Sequence, residues 1–341
     1  MVIVGSALDQ HIDVDALVQL SEAYGIPVAA SWKQQHLFPN SHPHYAGHLG
    51  YNISPKHLTV IEPADLVLGI GTRLGDVTTQ GYRFPMAPQP TQPLVHIYPA
   101  REALRQVYPG SVAIQADSGA FMRALSAIAP REPASSPEWI ASVNGYASEL
   151  MRWVDKPAPD GVVFGAVMVA LESIVPDDAI FTQDAGNFSG WMHRYFHLNG
   201  RHTLLGAIAG AMGFGVPAAV AASLRHPERK VICLVGDGGM LMTGNELATA
   251  VQFGAKPVVI LSNNNCYATI RQHQEKHFPG RVKATTLHNP DFVALGKAFG
   301  VKSLLIDTPE KIEPVLREAL AHDGPVLVEV ATALSRISAF A

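Results

Sequence analysis

Two hydrophobic rhythms alternate along the chain. Short apolar runs (VIVG, PVAAS, DLVLGIG, LVHIYP, VAIQAD) are separated by segments in which apolar residues return at helical spacing, such as DVDALVQLSEAYG and SGAFMRALSAIA. An unbroken apolar run reads as a strand buried on both faces, because a strand with one wet face would alternate apolar and polar residues. Strands alternating with helices, with Gly or Pro between them, predict a parallel sheet covered on both sides. This pattern runs from Met1 to about Ala129 and is followed by a proline-rich stretch with one amphipathic piece, EWIASVNGYASELMRWV. It then restarts with AIFTQDAG, a Gly-rich helix after Gly210, KVICLVGDGG, a helix from Asn245 to Phe253, PVVILSNNN and a helix from Tyr267. FVALGKAFG, SLLIDT, KIEPVLREALA and PVLVEVA complete it. The expectation is an α/β protein of two doubly wound parallel-sheet domains, residues 1–130 and 160–341, joined by a linker over 131–159.

Composition narrows the partners. The 341 residues are 48% hydrophobic and 16% charged, enough for two cores and unlike a disordered chain. With 25 Lys+Arg against 29 Asp+Glu the net charge is −4, so no basic field is available for nucleic acid or an anionic membrane surface. The uncharged stretch from Thr203 to Leu224 has the length of a membrane span, but Gly206, Gly210, Gly213, Gly215 and Pro217 interrupt it and Ala dominates its bulk. It reads as a buried loop and helix. Cys233 and Cys266 form neither a disulfide framework nor a zinc spacing, which points to a reducing compartment and a cytoplasmic location.

The candidate chemistry lies in the second half. KVICLV runs into Gly236-Asp237-Gly238-Gly239, with a helix expected to open near Thr243-Gly244-Asn245-Glu246. Glycines between a strand end and a helix start let backbone N–H groups close on a phosphate, and the helix dipole favours its charge. A carboxylate facing a diphosphate would repel it, so Asp237 makes sense there with a divalent cation between them. The next strand ends in Asn263-Asn264-Asn265, whose neutral amide oxygens are hard ligands suited to Mg²⁺. Taken singly, Asp237 reads as a helix cap and the asparagines as a turn. The spaced set favours the ion.

GDGG, then a helix and strand, then NNN, resembles the diphosphate-and-metal motif of thiamine-diphosphate enzymes. IGTRLGD, LVHIYP, DAGNFSGW, GAMGFGVPAA, GDGGMLMTGNELATAVQFG and LSNNNCYATIRQHQ resemble, in order, the acetolactate-synthase-like branch of that family, over nearly the whole chain. The resemblance implies a central domain followed by a diphosphate-binding domain. It implies that Asp237, Asn264 and the main-chain oxygen of Cys266 hold Mg²⁺, and that Gly238, Gly239, Gly186 and Asn187 meet the diphosphate. Gly210 and Ala211 would lie along the aminopyrimidine, and Met212 would wedge under the cofactor and force its two rings into a bent conformation, although on its own it reads as a core methionine. The implied activity is carbon–carbon bond cleavage or formation on a 2-oxo acid, by a carboligase or decarboxylase working as a homodimer or homotetramer. Some members hold FAD in the central domain, where Arg73 and His48 are the polar groups at hand.

Three departures qualify the resemblance. Gly186-Asn187-Phe188 stands where the family carries Gly-Gln-His, replacing an imidazole with an apolar ring. Gln272-His273-Gln274 stands for the family's Gln-Trp-Gln, so His273 is a candidate for the substrate pocket, or equally a solvated helix histidine, and the acetolactate product is not carried over. The family's first domain, with the glutamate that activates the aminopyrimidine, has no counterpart here, and Glu246 lies behind the metal motif. The expectation is that this domain belongs to a missing segment or a separate subunit, and that the chain alone turns over little substrate. A non-catalytic cofactor-binding or assembly module is the alternative reading.

Overall fold

Each half of the chain builds a six-stranded, all-parallel sheet. In the first, strands β1 (Val2–Val4), β2 (Val28–Ser31), β3 (Tyr45–Leu49), β4 (Val67–Ile70), β5 (Leu94–Tyr98) and β6 (Val112–Gln115) stand in the order β3-β2-β1-β4-β5-β6. The second has β7 (Ile180–Gln183), β8 (Thr203–Gly206), β9 (Val231–Gly236), β10 (Val258–Asn263), β11 (Lys302–Ile306) and β12 (Val326–Ala331), in the order β11-β12-β10-β9-β7-β8. These strands come from a computed structural model that describes residues 1–9, 13–51, 53–128 and 132–340. The two doubly wound α/β domains expected from the hydrophobic rhythm are the observed architecture.

The compact units are Met1–Arg152 with His197–Gly200, and Trp153–Phe196 with Arg201–Ala341. The expected boundary at residues 130 and 131 lies outside the described residues. Helix Pro137–Met151, inside the stretch expected to be linker, packs on β3 and on helix Pro55–Ile61 of the first unit. Its reason is local. Ser136 caps it by accepting from the Trp139 N–H at 3.2 Å, Pro137 starts it, and Ile140, Val143, Ala147 and Met151 form one buried stripe.

In the first unit apolar residues fill both sides of the sheet: Val2 and Val4 face one cluster, Ile3 and Ala29 the other. In the second, Val231, Cys233 and Val235 of β9 meet Val259 and Leu261 of β10 beneath helix Gly215–Arg225. The stretch of membrane-span length divides into β8, a loop with Gly210 and Gly213 at φ of +73° and +79°, and that helix. Among the described residues no helix is long and apolar enough to cross a membrane. Both cysteines are buried free thiols.

Candidate functional site

The chain enters the second sheet at β7, turns to the edge at β8, and crosses back to β9, so the strand order reverses between β7 and β9. Crevices at such a reversal, beyond the carboxyl ends of the strands, are where open α/β sheets bind ligands. A cavity of about 230 Å³ lies there. Gly186 and Asn187 reach it from the turn after β7, Gly210 and Met212 from the loop after β8, and Asp237, Gly238 and Gly239 from the end of β9. Asn264 and Cys266 reach it from the end of β10. Ala211 and His273 are not among its lining residues.

Asp237 is the first residue of helix Asp237–Thr243, which starts directly on β9 rather than six residues later as expected from the glycines. Met240, buried beneath it, anchors the turn, and Gly239 is required by its neighbour: a Cβ there would stand 2.1 Å from Asp184 Oδ2. The Asp237 carboxylate is buried and held by three donors. Oδ1 accepts from the Gly238 N–H at 2.9 Å, and Oδ2 accepts from the Cys266 N–H at 3.2 Å and from Asn289 Nδ2 at 2.9 Å. Burial raises its pKa above the ordinary carboxylate value, while those hydrogen bonds pull it down.

Asn265, in the left-handed region at φ +53°, turns the chain so that Asn264 and Cys266 both face the cavity. Asn264 Oδ1 is buried and accepts no hydrogen bond, which leaves it as a hard neutral oxygen of the kind that ligates a divalent cation. The Cys266 carbonyl accepts from the Ala268 N–H at 2.8 Å and keeps a second lone pair. Among the described residues no three His, Cys, Asp or Glu side chains converge to hold a metal. An ion here would therefore rest on one carboxylate and neutral oxygens, an arrangement in which Mg²⁺ keeps phosphate and water as its other ligands.

Met212 is 38% exposed, on the cavity wall and not in the core. Its Cε lies 3.3 Å from where a Cβ on Gly238 would stand. The loop that carries it is pinned by Asp184, a residue the sequence reading left without a role: Oδ2 accepts the Gly213 N–H at 2.7 Å and Oδ1 the Gly215 N–H at 2.5 Å. An aspartate closing an apolar strand was the signal available for it. Ala211 turns its carbonyl to the Ala185 N–H at 3.3 Å.

Asn187 lines the cavity and His273 does not. The Asn187 side chain donates from Nδ2 to Gln272 Oε1 and the Ile337 carbonyl and accepts from Thr269 Oγ1, so both of its amide protons are spent on protein and only its backbone N–H is left to donate to a ligand. His273 is exposed one turn beyond the part of helix Ala268–His277 that reaches the cavity, its ring stacked on His277. Phe188 does reach the cavity: its ring lies where Cβ atoms on Gly186 or Gly236 would collide with it or crowd it. Glu246 accepts from Thr249 Oγ1 on its own helix.

A parallel α/β unit whose strand ends gather a buried aspartate, an unpartnered amide oxygen and a glycine-lined cavity has the topology of the open-sheet ligand-binding proteins. Family comparison narrows the class. Residues 1–125 match the central domain of thiamine pyrophosphate enzymes, and residues 184–330 match their C-terminal TPP binding domain. The chain belongs to the thiamine pyrophosphate enzyme family.

Relatives include the acetolactate synthase isozyme 2 large subunit of Escherichia coli, 29% identical over 97% of this chain and 59% of that protein. The acetolactate synthase large subunit of Parasynechococcus marenigrum is 28% identical over 93% of this chain and 51% of that protein. A thiamine diphosphate-dependent 4-hydroxybenzoylformate decarboxylase of Rhodococcus jostii superposes with a TM-score of 0.80 at 25% identity, over 98% of this chain and 61% of that structure. The chain thus spans little more than half the length of these relatives.

Proposed function

We propose that this chain is the central and diphosphate-binding part of a thiamine-diphosphate- and Mg²⁺-dependent enzyme that cleaves or forms a carbon–carbon bond on a 2-oxo acid, as an acetolactate-synthase-like carboligase or decarboxylase. The observation that carries the reading is Asn264 Oδ1, buried without a donor beside the buried carboxylate of Asp237. Asp237, Asn264 and the Cys266 carbonyl would hold the ion, and Gly238 and Gly239 would let the diphosphate approach the backbone. When bound, thiamine diphosphate supplies the carbon nucleophile that such chemistry needs.

The residues of this chain bind and orient. Met212, held on the cavity wall by the grip of Asp184 on its loop, is the ring wedge of the proposal, and a ring held bent gains its advantage by positioning. Phe188 places an apolar edge where a diphosphate would otherwise find a donor. His273, exposed as it is, enters the proposal as a substrate contact that needs a further surface laid over it. Ile208, Leu241 and Met242 are exposed in the segments that carry the cavity residues. That apolar surface supports a homodimer or homotetramer as the working assembly.

FAD is left out of the proposal.

Calorimetric titration with thiamine diphosphate, with and without Mg²⁺, tests the reading. Binding is expected only with Mg²⁺ and is expected to vanish in Asp237→Ala. Equal affinity in that variant would remove the metal assignment.

A further inference from the structure

Behind Asp237 runs a line of side-chain hydrogen bonds that no cavity residue explains. Glu329, on β12, accepts from Asn263 Nδ2 at 2.7 Å. Asn263 Oδ1, at the end of β10, accepts from Asn289 Nδ2 at 2.8 Å and from the Asn265 N–H at 3.2 Å. Asn289 Nδ2 also donates to Asp237 Oδ2 at 2.9 Å. One amide group spends both of its protons, one on each neighbour.

The orientation of every group follows from the ends. A carboxylate at each end accepts, so Asn263 must present its NH₂ to Glu329 and its oxygen to Asn289, and Asn289 must present its NH₂ to both Asn263 and Asp237. Rotating either amide by half a turn would set oxygen against oxygen. The same Asn263 oxygen holds the Asn265 N–H, and therefore the left-handed turn that delivers Asn264 and Cys266. The Asn289 oxygen is left buried without a hydrogen bond, as is that of Asn264. An unsatisfied buried acceptor is costly, and its persistence here indicates that the amide is held for the sake of its NH₂.

We infer that Asn289 is a positioning residue for the cation site: with Glu329 as the far anchor, it fixes the Asp237 carboxylate and the Asn263–Cys266 turn in the geometry that receives the ion. The inference rests on the reading of this cavity as a Mg²⁺-diphosphate site. Partners behind a metal ligand typically change affinity by about 10–100-fold when removed.

The test measures, for the full chain, the Mg²⁺ concentration that half-saturates thiamine diphosphate binding by calorimetry, alongside the cofactor-free melting temperature. Asn289→Ala is expected to raise the Mg²⁺ requirement at least about tenfold while the cofactor-free melting temperature stays close to the parent's. Glu329→Leu is expected to shift it in the same direction, and Glu329→Gln, which keeps an acceptor for Asn263, to restore it. Should Asn289→Ala fail to fold, the Glu329 pair decides the matter. An unchanged Mg²⁺ requirement in Asn289→Ala, or in Glu329→Leu where that pair decides, overturns the inference and leaves the proposed function standing. Absence of binding by the unaltered chain overturns both.

Discussion

Asp184 and Gly213, far apart in sequence, meet through a 2.7 Å hydrogen bond from the Gly213 N–H to the Asp184 carboxylate, and the loop that carries Met212 takes its shape from that bond. The other carboxylate oxygen holds the Gly215 N–H, at the start of the following helix. Asp184 is fully buried and so is the Gly215 donor, which has no water to turn to if the carboxylate is lost; Gly213 is only partly buried.

Replacing Asp184 with Ala is therefore expected to destabilise the chain by about 2–4 kcal/mol, since bonds to charged groups contribute about 1.5–3 kcal/mol each and do not add fully. Asp184→Asn keeps one oxygen acceptor and should fall between. Denaturant unfolding measures both, and an Ala variant as stable as the parent would show that the loop holds its shape without this carboxylate.

Met212 separates stability from binding. A buried methionine cut to Ala costs about 2–5 kcal/mol, but a side chain this exposed should cost less than about 1 kcal/mol. Met212→Ala is expected to unfold at nearly the parent midpoint while its affinity for thiamine diphosphate in Mg²⁺ falls. A large loss of stability would return Met212 to the core.

Two glycines make a contrasting pair. A Cβ on Gly239 would collide with Asp184 Oδ2 and also press on Val235, so Gly239→Ala should cost about 1–3 kcal/mol. Gly145 sits exposed inside helix Pro137–Met151 with nothing within 4 Å of an added Cβ, and Gly145→Ala should gain about 0.5–1 kcal/mol from the unfolded state's lost freedom. Urea midpoints of opposite sign are the expected result; shifts of the same sign would refute the contact geometry.

His57 and His96 set an acid limit on the first unit. Both are buried with Nε2 2.8 Å from a carbonyl, of Ala46 and Thr72 respectively, and burial lowers both pKa values below the ordinary histidine value. Well above pH 6.5 both are neutral whether folded or not, and they add no pH dependence to stability. As pH falls below that value the unfolded chain takes up protons that the folded chain refuses, so stability drops by up to about 1.4 kcal/mol per pH unit for each ring, until the lowered folded values are reached. The double variant His57→Gln, His96→Gln should show a shallower fall in urea midpoint between pH 7 and pH 5; an identical slope would show that these rings do not titrate as described.

Local chemistry made much of this protein readable. Apolar runs flanked by Gly and Pro declare buried parallel strands, because the pattern depends only on which faces of a short segment are dry. Asp237, the glycines around it and Asn264 stand at strand ends that the same pattern locates, so the floor of the cavity was visible in the chain itself. The amphipathic stripe of helix Pro137–Met151 was equally visible, although the surface it covers was not.

What the tertiary structure alone decided are the partners. Asn289 meets Asn263 and Asp237 because the loop that bears it is folded against β10, and Asp184 meets Gly213 and Gly215 because the loop after β8 returns over it. That the Asn187 side chain is held by Thr269 and Gln272 while its residue lines the cavity, and that the helix bearing His273 reaches the cavity with its first turn, were decided by the same packing. Periodicity reports which way a side chain faces along its own element. Which loops meet above the sheet depends on strand order and crossovers, and those are settled by burial of the whole sheet, not by any one segment.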